Sequence, residues 1–231
     1  MLLLLEGLTV RFGGLEALCG LDLALAPGGA LGLVGPNGCG KTTLFNAVSG
    51  IVRPAAGRIL FDGRDLARLS AHAVARLGIA RTFQQVRLFE RMTAWDNVLP
   101  AAAPVDRSLA ERALAAVGLA AERHTLASEL PLQAQRRLEI ARALARAPRL
   151  VLMDEPTAGL NAEETEAMAA LIRTAVLPGR ALILTEHKPD VIAALCPQAV
   201  LLEHGRKAME APPAALFASP AFRRAYLGAM D

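Results

Sequence analysis

Apolar and polar positions change rhythm along the chain, and the rhythm marks its elements. "LLLLEGLTV" (Leu2 to Val10), "ALGLV" (Ala30 to Val34) and "RILF" (Arg58 to Phe61, ending at the turn "DG") are short apolar-rich stretches that predict strands. "LVLM" (Leu150 to Met153) and "ALILT" (Ala181 to Thr185) are unbroken apolar runs. A strand with one wet face alternates, whereas an unbroken run suits a strand covered on both faces, as in a parallel sheet flanked by helices. "AVLLEHGRKAME" (Ala199 to Glu210) predicts a late hairpin turning at His204-Gly205.

Between these strands the period lengthens to that of a helix. Ser108 with Glu111 predicts a capping box opening "LAERALAAVGL", with Gly118 as its stop. Asn161 with Glu164 predicts a second helix, whose Met168, Leu171, Ile172, Ala175 and Val176 share one face. Pro148 marks the end of a third over "RRLEIARALARA". Strands alternating with helices predict an α/β fold with a mainly parallel sheet. Roughly from Val86 to Ala147 the chain is rich in Ala, Leu and Arg and has no strand pattern. That predicts a helical subdomain inserted in one domain spanning residues 1–231, with "PAAAPVDRS" (Pro100 to Ser108) as a short loop.

Composition narrows the picture. The 231 residues suffice for one large domain with a substantial core. With 53% hydrophobic but only 4% aromatic residues, that core must be built from Leu, Ala, Val and Ile. A net charge of +3 without a dense Lys/Arg block argues against a nucleic-acid partner. Cys19, Cys39 and Cys196 lack metal-ligand spacing and cannot all pair, which suits reduced thiols in a cytosolic protein. "MLLLLEGLTV" has no basic leader and meets Glu6 after five residues, and no other stretch approaches 18 uncharged apolar residues. The expectation is a soluble or peripheral protein.

The chemistry begins at "GPNGCGKTT", made of Gly35, Pro36, Asn37, Gly38, Cys39, Gly40, Lys41, Thr42 and Thr43. It matches the phosphate-binding loop and lies where the mechanism requires, between an apolar strand and a helix. Its glycines let backbone N–H groups turn toward phosphate oxygens, Lys41 supplies charge to the β and γ phosphates, and the Thr42 hydroxyl can ligate Mg²⁺. Cys39 is a small filler, or a thiol activated by the helix N-terminus. Asp154 and Glu155 end the buried run "LVLM"; in such enzymes one acid holds Mg²⁺ and a neighbour polarises the attacking water. His187 follows the next buried run, where loops at strand ends converge on a ligand. His72, His124 and His204 lack such a context.

In this order the motifs resemble the ATP-binding subunit of an ABC transporter over nearly the whole chain. "GPNGCGKTT" resembles Walker A, "LVLMDEP" Walker B, "RTFQ" the Q-loop, "AGLN" the D-loop and "EHK" the switch histidine. "RFGGLEAL", "GIARTFQQVRLFERMTAWDNV", "QRRLEIARAL" and "AYLG" (Ala225 to Gly228) are most similar to the branched-chain amino-acid importer ATPases. The resemblance implies ATP and Mg²⁺ as cofactors, with Thr42, Gln84 and Asp154 at the metal. Glu155 would be the catalytic base, His187 its transition-state partner, and Gln84 the γ-phosphate sensor. Phe12 would stack on adenine or else belong to the core. Val86 to Val98 would dock a transmembrane permease, with Trp95 near that surface or simply packed. The protein would sit at the cytoplasmic face of the membrane, served indirectly by a solute-binding protein.

The pattern breaks at one place. Aligned on "QRRLEIARAL", the family signature Leu-Ser-Gly-Gly-Gln falls on Leu130, Pro131, Leu132, Gln133 and Ala134. Pro131 has neither hydroxyl nor N–H, and Leu132 and Gln133 place side chains where glycines let the backbone approach phosphate. Family members act as head-to-tail dimers in which one subunit's signature closes the other's Walker A site. The expectation is therefore an asymmetric heterodimer with a second ABC ATPase. A non-transport ABC-type ATPase and a catalytically impaired ATP-binding subunit are the alternatives.

Overall fold

The computed structural model describes residues 1–102 and 106–227. Residues 103–105 of the expected Pro100–Ser108 loop, and Gly228 of "AYLG", lie outside the described residues. Among the described residues, ten strands form two sheets. The first is antiparallel, ordered β2-β1-β4-β5, from β1 (Leu3–Phe12), β2 (Leu15–Leu25), β4 (Ala56–Phe61) and β5 (Arg64–Asp65). The second, ordered β10-β9-β3-β8-β7-β6, contains β3 (Ala30–Val34), β6 (Ile79–Arg81), β7 (Leu150–Asp154), β8 (Ala181–Thr185), β9 (Gln198–Glu203) and β10 (Arg206–Ala211). It is parallel except where β10 folds back on β9. The mainly parallel sheet with an N-terminal antiparallel part is thus the architecture observed.

Burial explains the sequence patterns. Every residue of β3, β7 and β8 is buried, because apolar clusters cover both faces of the parallel sheet. On one face, β1 and β2 contribute alternating Leu3, Leu5, Leu8, Leu18, Leu21 and Leu23, which pack with Leu44 and Phe45 of α1 (Lys41–Val48). β2 has no clear strand pattern in the sequence because "ALCG" interrupts its period, although Leu21, Leu23 and Leu25 still alternate with Asp22 and Ala24. Beyond this face, α2 (Ala71–Arg76) is capped by the Ser70 hydroxyl, which accepts from Ala73 N–H.

On the other face lie α6 (Ala162–Leu171), α7 (Pro189–Leu195), α8 (Pro213–Ala218) and α9 (Pro220–Leu227). Between β6 and β7 the described chain forms α3 (Ala94–Val98), α4 (Arg107–Ala116), α5 (Leu132–Leu144) and short 3-10 turns. The start of α4 corrects the expected cap. Asp106, not Ser108, is the N-cap, its carboxylate accepting from Ser108 N–H at 2.8 Å and Leu109 N–H at 3.4 Å. Ser108 also donates its hydroxyl to the same carboxylate, so the stronger acceptor two residues upstream takes the position. The Asn161–Glu164 capping box opens α6 as expected. Beyond α6 the chain widens into a π turn at Ile172–Val176. Trp95 is half-buried and packs against the helical core, while Phe89 and Met92 remain exposed.

Candidate active site

The phosphate loop links β3 to α1, and the surrounding backbone constrains it closely. A Cβ on Gly35 would lie 2.2 Å from the Leu202 carbonyl oxygen, and one on Gly40 2.7 Å from that of Ala17. Gly35 and Gly40 have φ of 151° and 112°, which favours glycine independently of the space. Gly205 N–H donates to the Cys39 carbonyl at 3.0 Å, bracing the loop from the β9–β10 hairpin. That hairpin turns at His204-Gly205, both with positive φ, as a tight strand reversal requires. Lys41 Nζ curls back to donate to the Gly35 and Pro36 carbonyls at 2.5 and 3.0 Å.

Asn37, Gly38, Gly40, Lys41, Thr42 and Thr43 share a cavity of about 390 Å³ with Gln84 and Glu155. β7 delivers Glu155, β8 delivers His187, and the chain leaving β6 delivers Gln84. Glu155 is held from two sides: Gln84 Nε2 donates to Oε2 at 2.9 Å, and His187 Nε2 lies 2.8 Å from Oε1. Glu155 adopts φ 48°, unusual for a residue with a side chain, with its N–H donating to the Thr185 carbonyl at 3.0 Å. Beneath it, Glu186 is buried and accepts from Thr157 N–H and from His187 N–H, which ties the turn after β7 to the turn after β8.

Asp154 stands apart from this group. It is 6% exposed, and its Oδ1 and Oδ2 are occupied by the Thr185 hydroxyl at 2.8 Å and the Arg81 guanidinium at 3.2 Å. It does not line the cavity that Thr42 and Gln84 share. Among the described residues no cluster of three His, Cys, Asp or Glu could hold a metal. Hydroxyl and amide oxygens with a carboxylate behind them nevertheless suit Mg²⁺, which keeps waters and binds substrate phosphates rather than an all-protein cage. Phe12 is half-exposed at the tip of the β1–β2 hairpin, which removes its core reading; Gly40 packed on Ala17 brings β2 beside the phosphate loop. Cys39 corrects the activated-thiol reading. It is buried, and burial raises its pKa despite the neighbouring Lys41, so it is the filler.

Two arginines had no recognised role in the sequence. Arg81 is sandwiched near Phe45 and Phe83, donates to Asn46 Oδ1 at 2.6 Å and neutralises Asp154. Arg136, buried on α5, donates to the Gln84 carbonyl at 2.6 Å, to that of Phe83 and to that of Ala158. It thereby joins the helical insert, the Gln84 segment and the turn after Glu155. An arginine that donates only to carbonyls has no carboxylate to betray it in sequence. In the segment aligned with the signature, Leu130 and Ala134 face the core, whereas Pro131 and Leu132 are exposed and Gln133 is half-buried. Pro131 is the N-cap of α5 and supplies no side-chain cap.

A family model described as "ABC transporter" matches residues 18–158. The high-affinity branched-chain amino acid transport ATP-binding protein BraF of Pseudomonas aeruginosa is 36% identical over 245 residues, covering 96% of this chain and 96% of that protein. The corresponding protein LivG of Escherichia coli is 35% identical over 251 residues, covering 98% of each. Among solved structures, an ATP-binding cassette of an ABC transporter in its ADP conformation superposes with a TM-score of 0.90. It shares 24% identity and 98% coverage of both chains, a likeness of fold.

Proposed function

The chain belongs to the ABC transporter family as an ATP-binding subunit, and from that premise we propose that it hydrolyses ATP to drive import of branched-chain amino acids or a related small solute. The observation that carries hydrolysis is the Glu155 carboxylate held between Gln84 and His187, in reach of the loop bearing Lys41 and Thr42. A γ-phosphate arriving there competes for Gln84 and His187. That frees the Glu155 carboxylate to orient water as general base. Lys41 leaves the loop carbonyls for the β and γ phosphates. Mg²⁺, when bound, neutralises phosphate charge; Thr42 and Gln84 would ligate it, and Asp154 would support it through water. Gly35 to Thr43 cradle the phosphates, and Phe12 stacks on the base. The solute assignment draws on the branched-chain amino acid transport named for both relatives.

The working unit is an asymmetric heterodimer with a second ABC ATPase whose signature is intact, docked on transmembrane permeases at the cytoplasmic face of the membrane. Pro131, Leu132 and Gln133 support the asymmetry, since the side chains turned outward at the head of α5 include no hydroxyl. Exposed Phe89 and Met92, inside the Val86–Val98 segment, support permease docking there. Among the described residues no helix is long and apolar enough to cross a membrane. ATP turnover by this chain alone and with a signature-intact partner is the test. Turnover rising steeply with the partner is the expected result; equal, high turnover by the homodimer rejects the asymmetry, and none in either rejects hydrolysis.

A further inference from the structure

The phosphate loop is braced by backbone contacts built into the sheets, Gly35 against Leu202, Gly40 against Ala17, and Gly205 N–H on the Cys39 carbonyl. A further brace is a side chain from far along the chain. The Tyr226 hydroxyl accepts from the buried Gly35 N–H at 3.0 Å, across 191 residues. Gly35 is where β3 ends and the loop begins, and its carbonyl is one of the two that Lys41 Nζ holds. Tyr226 is carried by α9, whose Ala221, Phe222 and Ala225 pack on the core. Phe217 meets Phe222 edge-on at 5.1 Å, and Phe222 meets Tyr226 at 4.4 Å, so an aromatic ladder from α8 aims the phenol at the loop. Tyr226 is 38% exposed, and partial burial raises its phenol above the ordinary pKa.

We propose that Tyr226 is a positioning residue of the nucleotide site: its hydroxyl fixes the start of the phosphate loop, and docking of α9 thereby sets nucleotide affinity. This rests on the reading of Gly35 to Thr43 as the nucleotide site. The groups expected to act on the γ-phosphate, Glu155, Gln84 and His187, arrive from β7, β6 and β8. Loss of the brace therefore weakens binding more than chemistry. Removing one ordinary neutral hydrogen bond from the loop corresponds to an affinity loss of about three- to tenfold.

Tyr226→Phe in the full chain keeps the ring on Phe222 and removes only the acceptor. The expected results are a Kd for Mg·ADP raised about three- to tenfold, faster amide hydrogen exchange at Gly35, and a rise in KM for ATP larger than any fall in kcat. Phe222→Leu, which loosens the ladder, should weaken Mg·ADP binding too. Combined with Tyr226→Phe it should add little, because both act through one hydroxyl. Unchanged Mg·ADP affinity and Gly35 exchange in Tyr226→Phe, with only a lowered Tm, would overturn the proposal and leave the tyrosine a packing residue. A wild-type chain without affinity for Mg·ADP would instead overturn the nucleotide reading itself.

Discussion

The loop before α1 and the segment before α5 both precede a helix, and they are equipped in opposite ways. The first has glycines at the tight approaches, a lysine folded onto its own carbonyls, and a cavity shared with Gln84 and Glu155. The second opens with Pro131 and presents Leu132 and Gln133. A helix N-terminus offers free N–H groups to an anion only if the backbone can reach it. Two helix starts in one chain thus differ in backbone access: glycines line the approach to α1, whereas Pro131 and the side chains of Leu132 and Gln133 stand at the head of α5.

The comparison can be broken most sharply at the complete end. Glu155→Gln should lower phosphate release by the partnered enzyme about 10²- to 10⁴-fold while Mg·ATP binding survives; substantial residual turnover would remove Glu155 as the base. At the poor end, Pro131→Ser, Leu132→Gly and Gln133→Gly together should raise turnover by the chain alone about tenfold or more, since one preorganised donor carries that order of effect. Ala134 is left alone because it is 3% exposed and has no space for a glutamine. The two glycines weaken the head of α5 by about 1 kcal/mol each, partly offset by a serine cap. A flat response would place the defect elsewhere.

Arg136→Ala tests the link between the two regions. It strands three carbonyls and should cost about 2 kcal/mol in urea unfolding, and it should lower kcat by releasing Gln84. The smallest effect concerns the thiols. Cys196 is pushed up to about 12 and Cys39 is raised, both first by burial. At neutral pH neither should react with maleimide in the native chain, and mass spectrometry should find both labelled only after unfolding.

Much of this was legible in sequence because local pattern records local physics. The unbroken runs of β7 and β8 mark strands covered on both faces, and the Asn161–Glu164 box opens α6. The interrupted period of β2 and the choice of Asp106 over Ser108 were not, because each was settled by a neighbour: strand pairing with β1 in one case, a stronger acceptor in the other.

By itself the sequence determined the order of the chemistry: a phosphate loop, a glutamine, two acids and a histidine, with the loop, the acids and the histidine each following an apolar run. It also determined that Leu130 to Ala134, the stretch aligned with the family signature, carries no glycine. Only the tertiary structure decided which groups touch. Arg81 covers Asp154, Arg136 gathers carbonyls from two segments, Cys39 is shut away, and Tyr226 reaches Gly35. The reason is physical. Periodicity encodes which face of an element is dry, whereas the partner of a polar atom depends on where crossovers deliver residues dozens to hundreds of positions away.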